Sequence, residues 1–156
     1  MSWLALLDFG SVMIFALTGA LVASRAQMDP VGFLFIACLT AMGGGTLRDV
    51  LLDRNPVFWI AQPTYIAVAC GAAIVVFFTA HLLESRLRTL LWLDSLALAI
   101  AVPAGAGVAL DLGTPAPIVI LMGMITGCMG GLMRDVVVGD VPVVLKQGEL
   151  YVSAAF

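Results

Sequence analysis

GGGTLRDVLLDRNP, Gly43 to Pro56, returns 86 residues later as MGGLMRDVVVGDVP, Met129 to Pro142. The offset holds without a gap from Asp8 against Asp94 to Pro56 against Pro142, and 13 of those 49 positions are identical. Charged and hydroxyl residues match their own kind: Asp8 with Asp94, Thr40 with Thr126, Arg48 with Arg134, Asp49 with Asp135. The glycines Gly19 and Gly105, Gly44 and Gly130, and Gly45 and Gly131 match as well. Apolar filler alone does not pair polar with polar, so the chain carries an internal duplication.

Both copies lie in a chain that is 62% hydrophobic and 11% charged, with a mean hydropathy of +1.13. Soluble domains carry roughly one-quarter charged residues, so an integral membrane protein is the class this composition supports. Residues 1–156 read as a single membrane domain, repeat one over about 4–86 and repeat two over about 90–156, because no polar linker or soluble insertion separates them. A basic run interleaved with aromatics is missing from the sequence, and with it the footprint of nucleic-acid binding. The opening Met-Ser-Trp meets Asp8 before any cation, which argues against a cleaved signal peptide and for a retained first span.

A helix crossing the hydrocarbon core needs about 20 mostly apolar residues. Windows of that length predict spans over Leu7 to Ala23, Val31 to Leu52, Thr64 to Leu83, Leu93 to Leu110 and Pro117 to Val138, with a sixth starting near Leu150. From Leu150 to Phe156 there are seven residues, too few to cross, so the repeat predicts a second copy that is truncated here. Three spans per repeat turn the second copy upside down, and inverted repeats of this kind place solute sites near the midplane where the copies meet. Arg25, Arg86, Arg88 and Lys146 fall on one side and Arg54 on the other, which predicts an N-terminus outside, on the face away from the cytoplasm. Trp3, Trp59, Tyr65, Trp92 and Tyr151 flank span ends and read as interfacial anchors.

Glycine costs about 1 kcal/mol against alanine inside a helix. Gly43, Gly44 and Gly45, with Gly127, Gly130 and Gly131 in the second copy, therefore need an offsetting role. One is close helix packing; the other, preferred here because a charged pair follows the glycines in both copies, is a kink that lines a pathway. Arg48 with Asp49 and Arg134 with Asp135 each follow a long uncharged run. Adjacent helical residues point about 100° apart, so the two members of each pair are not expected to bond one another, and at least one should face the bundle. Asp8 is the expected partner of Arg48, and Asp94 that of Arg134. Inverted geometry separates the two motifs, so no bond between them is expected. Thr40 and Thr126 are the polar residues left for the middle of the membrane.

Catalytic motifs are absent from the sequence: there is no GxSxG, HExxH, GxxxxGK[ST] or Cys/His couple. An intramembrane aspartyl hydrolase built on Asp49 and Asp135 is disfavoured by the neighbouring arginines, which hold a carboxylate ionised. Cys38, Cys70 and Cys128 and the eight methionines read as small or adaptable apolar packing, with no metal centre and no cofactor expected.

GGGTLRDVLLDRNPVFW, Gly43 to Trp59, followed by a further span and a second GGxxRD copy, resembles the bacterial branch of the trimeric intracellular cation (TRIC) channel family. That resemblance implies an all-α transmembrane fold of two inverted three-helix repeats, a seventh helix in the full protein, and a homotrimer in the lipid bilayer. Each protomer would hold its own pathway for potassium or other monovalent cations, among the first, second, fourth and fifth spans. By position, Gly43, Gly44, Gly45, Gly130 and Gly131 would be kinks in that pathway, with Met129 in place of the first glycine of the second triplet and Gly127 close by. Arg48, Asp49, Arg134 and Asp135 would line or gate it. Bacterial sequences of this kind are also described as a glycine transporter domain, so a secondary transporter for a small zwitterion is the alternative reading.

Overall fold

In a computed structural model the chain is all-helical among the described residues, which are 3–82, 86–142 and 145. Its helices in chain order are α1 (Trp3–Arg25), α2 (Pro30–Leu51), α3 (Phe58–Ala61), α4 (Thr64–Thr79), α5 (Arg86–Asp111) and α6 (Ala116–Val138). A 3-10 turn, Ala80–Leu82, extends α4, and five segments are long and apolar enough to cross a membrane: Trp3–Arg25, Pro30–Leu51, Thr64–Leu82, Leu87–Asp111 and Ala116–Val138. The sixth span expected from Leu150, along with Lys146 and Tyr151, lies outside the described residues.

Local chemistry sets the helix ends. Asp29 caps α2, its Oδ1 accepting from Gly32 N at 2.8 Å, and Pro30 follows at the first helical position, where its missing N–H costs nothing. At the other end of the chain α6 starts behind Pro115 and stops at Gly139, whose φ of 83° is the left-handed conformation glycine adopts without penalty. Two ends depart from the hydropathy windows. Whereas the sequence places the fourth span from Leu93, α5 begins at Arg86, because arginine and leucine are strong helix formers even where Arg86 and Arg88 dilute the hydropathy. Similarly, α1 reaches out to Trp3 and Arg25.

Helices α1, α2, α5 and α6 pack as a group, α1 against α2 and α5, and α6 against α2 and α5, while α4 sits on the α1–α2 side. Ala16, Ala20 and Ala23 of α1 and Ala97, Ala101 and Ala104 of α5 are fully buried, so small side chains let these backbones approach closely. The glycine sets do not break their helices: α2 runs uninterrupted through Gly43–Gly45 and α6 through Gly127–Gly131. Gly44 and Gly130 lie at a helix crossing. A methyl group at Gly44 would strike the Thr126 carbonyl, and one at Gly130 the Thr40 carbonyl, so α2 and α6 touch backbone to backbone there. Gly19 meets Thr40 and Ile36 in the same way, and Gly105 meets Thr126 and Met122. Close packing thus accounts for Gly19, Gly44, Gly105 and Gly130, while Gly45 faces the Phe58 ring and Gly131 the Arg134 side chain of its own helix.

Two aromatic anchors are reassigned. Tyr65 is 4% exposed and stacks on Phe9 with ring centroids 4.0 Å apart, and Trp59 donates its indole N–H to Thr46 Oγ1 at 2.9 Å. Trp3 and Trp92, in contrast, are exposed at span ends.

Candidate functional site: two buried arginine centres

Each repeat buries its arginine. Arg48 is 0% exposed and Arg134 1%, and neither reaches toward headgroups. An ion in this position needs partners, because an unpaired charge in a low-dielectric interior is prohibitively costly.

In the outer centre, named for the expected orientation, Arg48 Nη1 donates to Asp8 Oδ1 at 3.2 Å and Nε to Asp49 Oδ1 at 2.8 Å. Asp49 collects more: Arg54 Nη1 donates to its Oδ1 at 2.9 Å, and the backbone N–H of Phe58 donates to its Oδ2 at 2.8 Å. Asp49 thereby holds the connection after α2 and the first residue of α3 against the bundle. The Phe58 ring lies 5.6 Å from the Arg48 guanidinium carbon, a cation–π distance, and fills the space beside Gly45. Arg48 Nη2 is buried with no hydrogen-bond acceptor.

The inner centre is built by the same residues of the second copy. Arg134 Nε donates to Asp135 Oδ1 at 2.8 Å, while Nη1 and Nη2 bind Asp94 Oδ1 and Oδ2, both at 3.0 Å, in a bidentate fork. Nη1 also donates to Thr18 Oγ1 at 3.1 Å, a bond from α6 in the second repeat to α1 in the first.

The expectation that neighbouring Arg and Asp would not bond is corrected in both copies. A guanidinium arm is long enough to fold back over one residue, and with no water competing inside the bundle the adjacent carboxylate is a ready acceptor. Asp8 and Asp94 are each brought to the arginine of their own repeat. Thr40 and Thr126 are buried and each donates back to its own helix, to Ile36 O at 2.6 Å and Met122 O at 2.7 Å. Three contributors escaped the sequence reading. Arg54 lies within the motif where its counterpart 86 residues on is Asp140, Phe58 lies just beyond the motif, and Thr18 was hidden by the repeat itself, since its counterpart is Ala104.

Two cavities border the centres. The first, of about 350 Å³, is lined by Asp8, Arg54, Gln62, Tyr65 and Asp111 with apolar neighbours, and opens at the outer end. The second, about 20 Å³, has room for one water beside Asp94, Arg134 and Asp135, with Phe15, Leu98 and Cys128 around it. Neither includes Thr40 or Thr126, which lie in the close-packed crossing.

Comparison with known proteins turns this arrangement into a family. The model described as "Glycine transporter" matches residues 5–81 and 91–156. Inner membrane protein YadS of Escherichia coli (strain K12) is 38% identical over 152 residues, covering 95% of this chain and 72% of its own length. A membrane protein of Vibrio cholerae is 40% identical over 161 residues, covering 98% of this chain; the chain spans 64% of that relative's length. The TRIC trimeric intracellular cation channel orthologue of Rhodobacter sphaeroides superposes with a TM-score of 0.94 at 44% identity, over 99% of this chain and 79% of its own. A prokaryotic TRIC channel crystallised in 0.5 M KCl gives a TM-score of 0.89 at 29% identity, over 97% of this chain and 78% of its own. The chain belongs to the bacterial branch of the TRIC family. Within this TRIC fold the paired centres sit on α1, α2, α5 and α6, and the description of YadS as an inner membrane protein agrees with the five membrane-length helices.

Proposed function

We propose that this protein is a passive cation channel, mainly for potassium, with one pathway inside each protomer of a homotrimer. The observation that carries the reading is the pair of Arg–Asp clusters built around buried arginines on the four-helix group, each bordered by a cavity. Channel neighbours at 44% and 29% identity support it, as does the description of the first as trimeric.

In this reading a cation leaves water through the outer vestibule, where Asp8 and Asp111 provide oxygen ligands and Arg54 limits how deeply the negative field extends. Farther in, Arg48 and Arg54 stand against Asp8 and Asp49, and Arg134 stands against Asp94 and Asp135, so each centre sets carboxylates against guanidinium groups. Such a balance suits weak, multi-site passage: a cation is attracted without being trapped. The Gly44–Thr126 and Gly130–Thr40 crossing closes the way between the two ends, so opening requires α2 and α6 to part there. Arg25 and Arg88 stand on the cytoplasmic side and the N-terminus outside, following the bias of short-loop cations.

Proteoliposomes containing the full-length protein test this. Potassium release down its gradient without an ionophore, altered by Asp8→Asn and Asp94→Asn in protein that still assembles, is the expected result. Saturable uptake of labelled glycine without passive potassium conductance would replace the channel with a carrier, and parental flux in both variants would remove the charged centres from the pathway.

A further inference from the structure

Two thiols 32 residues apart in the sequence meet between α2 and α4, beside a groove that two methionines line. Cys38 of α2 and Cys70 of α4 bring their Sγ atoms to 3.9 Å, and neither thiol is fully buried. Cys38 also lines an apolar groove of about 370 Å³ together with Met42, Thr46, Trp59 and Met133. Met42 is four residues from Cys38, so thiol and thioether share one face of α2. A methyl group at Gly43 would lie 3.0 Å from Met133 Sδ, which places that sulfur against the same helix.

We propose that Cys38 and Cys70, with Met42 as third donor, form a binding site for a soft monovalent d10 cation of the copper(I) class. Metal–sulfur bonds of about 2.3 Å make two sulfurs 3.9 Å apart subtend an angle between tetrahedral and trigonal, so the thiols need little movement to share one ion. Thiolate and thioether donors select such ions over hard cations, and Thr46 is the sole hydroxyl on the groove. Charge balance favours a monovalent guest. One thiol loses its proton and forms a sulfur–metal bond, the proton leaves to solvent, and the product is neutral; the second thiol and the thioether donate lone pairs without further ionisation. A neutral product avoids the cost of a net charge on an apolar wall. Binding would fasten α2, which carries Arg48, to α4. The site does not depend on the channel reading, since it needs neither flux nor an open pathway.

The test uses the full-length protein in detergent under anaerobic conditions, with copper(I) buffered by bicinchoninate as competing chelator and thiols counted by N-ethylmaleimide and intact mass. One copper(I) retained per protomer is expected, with Cys38 and Cys70 shielded from alkylation relative to copper-free protein and Cys128 unaffected. Cys38→Ser and Cys70→Ser should each abolish retention, Met42→Leu should weaken it, and Cys128→Ser should leave it intact. The protection pattern of the parent decides the matter should a serine variant fail to assemble. Failure to hold copper against the chelator, retention that follows Cys128, or equal retention by both single-serine variants and the parent would overturn the site.

Discussion

Arg134 spreads its three guanidinium nitrogens over four hydrogen bonds, two of them to Asp94, whereas Arg48 makes two and leaves Nη2 without an acceptor. The two arginines occupy the same place in the duplicated motif, so the difference comes from positions at which the copies do not match. Thr18 reaches Arg134 across the repeats, and the matching position in the other copy is Ala104, which has no hydroxyl to offer. In the outer centre Arg54 and the Phe58 backbone instead draw on Asp49, and the Phe58 ring covers the Arg48 guanidinium. Duplication thus preserved the charges and let their surroundings diverge into one saturated centre and one that keeps an unmet donor. An unmet buried donor raises the energy of the state that contains it. The outer centre is therefore the one with more to gain from rearrangement.

The strongest way to break this comparison is to remove one carboxylate from each centre. Asp94→Asn removes the charged fork from Arg134 and leaves the guanidinium to Asp135 and Thr18, and losing buried hydrogen bonds between charged groups should cost about 1.5–3 kcal/mol. Asp8→Asn should cost clearly less, because Asp8 makes a single bond and its side chain is 15% exposed, so water compensates part of the loss. Chemical and thermal unfolding of the full-length protein in detergent read both. Equal losses would mean that the hydrogen-bond inventory of the two centres does not translate into stability, and the saturated-versus-unsaturated distinction would fall.

The fold was legible where hydropathy and backbone chemistry agree. The second and fifth spans, read as Val31 to Leu52 and Pro117 to Val138, differ from α2 and α6 by one residue at their ends, since Asp29-Pro30 and Pro115 to Gly139 punctuate apolar runs. Where charge falls inside a helix, as at Arg86 and Arg88, a hydropathy window starts late. The short α3 is not legible in the sequence, where Trp59 reads as an interfacial anchor, because four residues carry no helical period of their own; its start is set by Asp49, a tertiary contact. Of the site, the motif residues were visible from the repeat, which by construction shows what the copies share. Thr18 against Ala104 is a difference between copies, and such differences leave no mark in a self-comparison.

A sharper and more symmetric test lies at the crossing. Gly44→Ala and Gly130→Ala each drive a methyl group into a backbone carbonyl of the facing helix, which cannot rotate away. Overpacking of this kind costs about 1–3 kcal/mol, and the two variants should fall together because the contacts are related by the repeat. Gly71→Ala is the control. It sits in α4 with nothing within 4 Å of the added methyl and should be neutral or stabilising by up to about 1 kcal/mol from helix propensity. Unequal losses at Gly44 and Gly130, read in the same unfolding assay, would show that the asymmetry extends from the charged ends into the middle of the molecule.

The smallest effect should come from Thr18→Val, which keeps the side-chain shape and removes the hydroxyl oxygen that accepts from Arg134. Nη1 keeps its bond to Asp94 Oδ1, so no donor is orphaned; the bond from Arg134 and the hydroxyl's own bond to Phe15 O are lost, about 1–2 kcal/mol together. Its value lies in what it compares. The bond joins α1 of the first repeat to α6 of the second, so its removal loosens the inner centre toward the condition of the outer one without touching a charge. If potassium flux rises while unfolding shifts only slightly, the hydroxyl acts as a brake that the outer centre lacks. Unchanged flux with the same small stability loss would confine Thr18 to holding the repeats together, and the functional difference between the centres would then rest on Arg54 and Phe58.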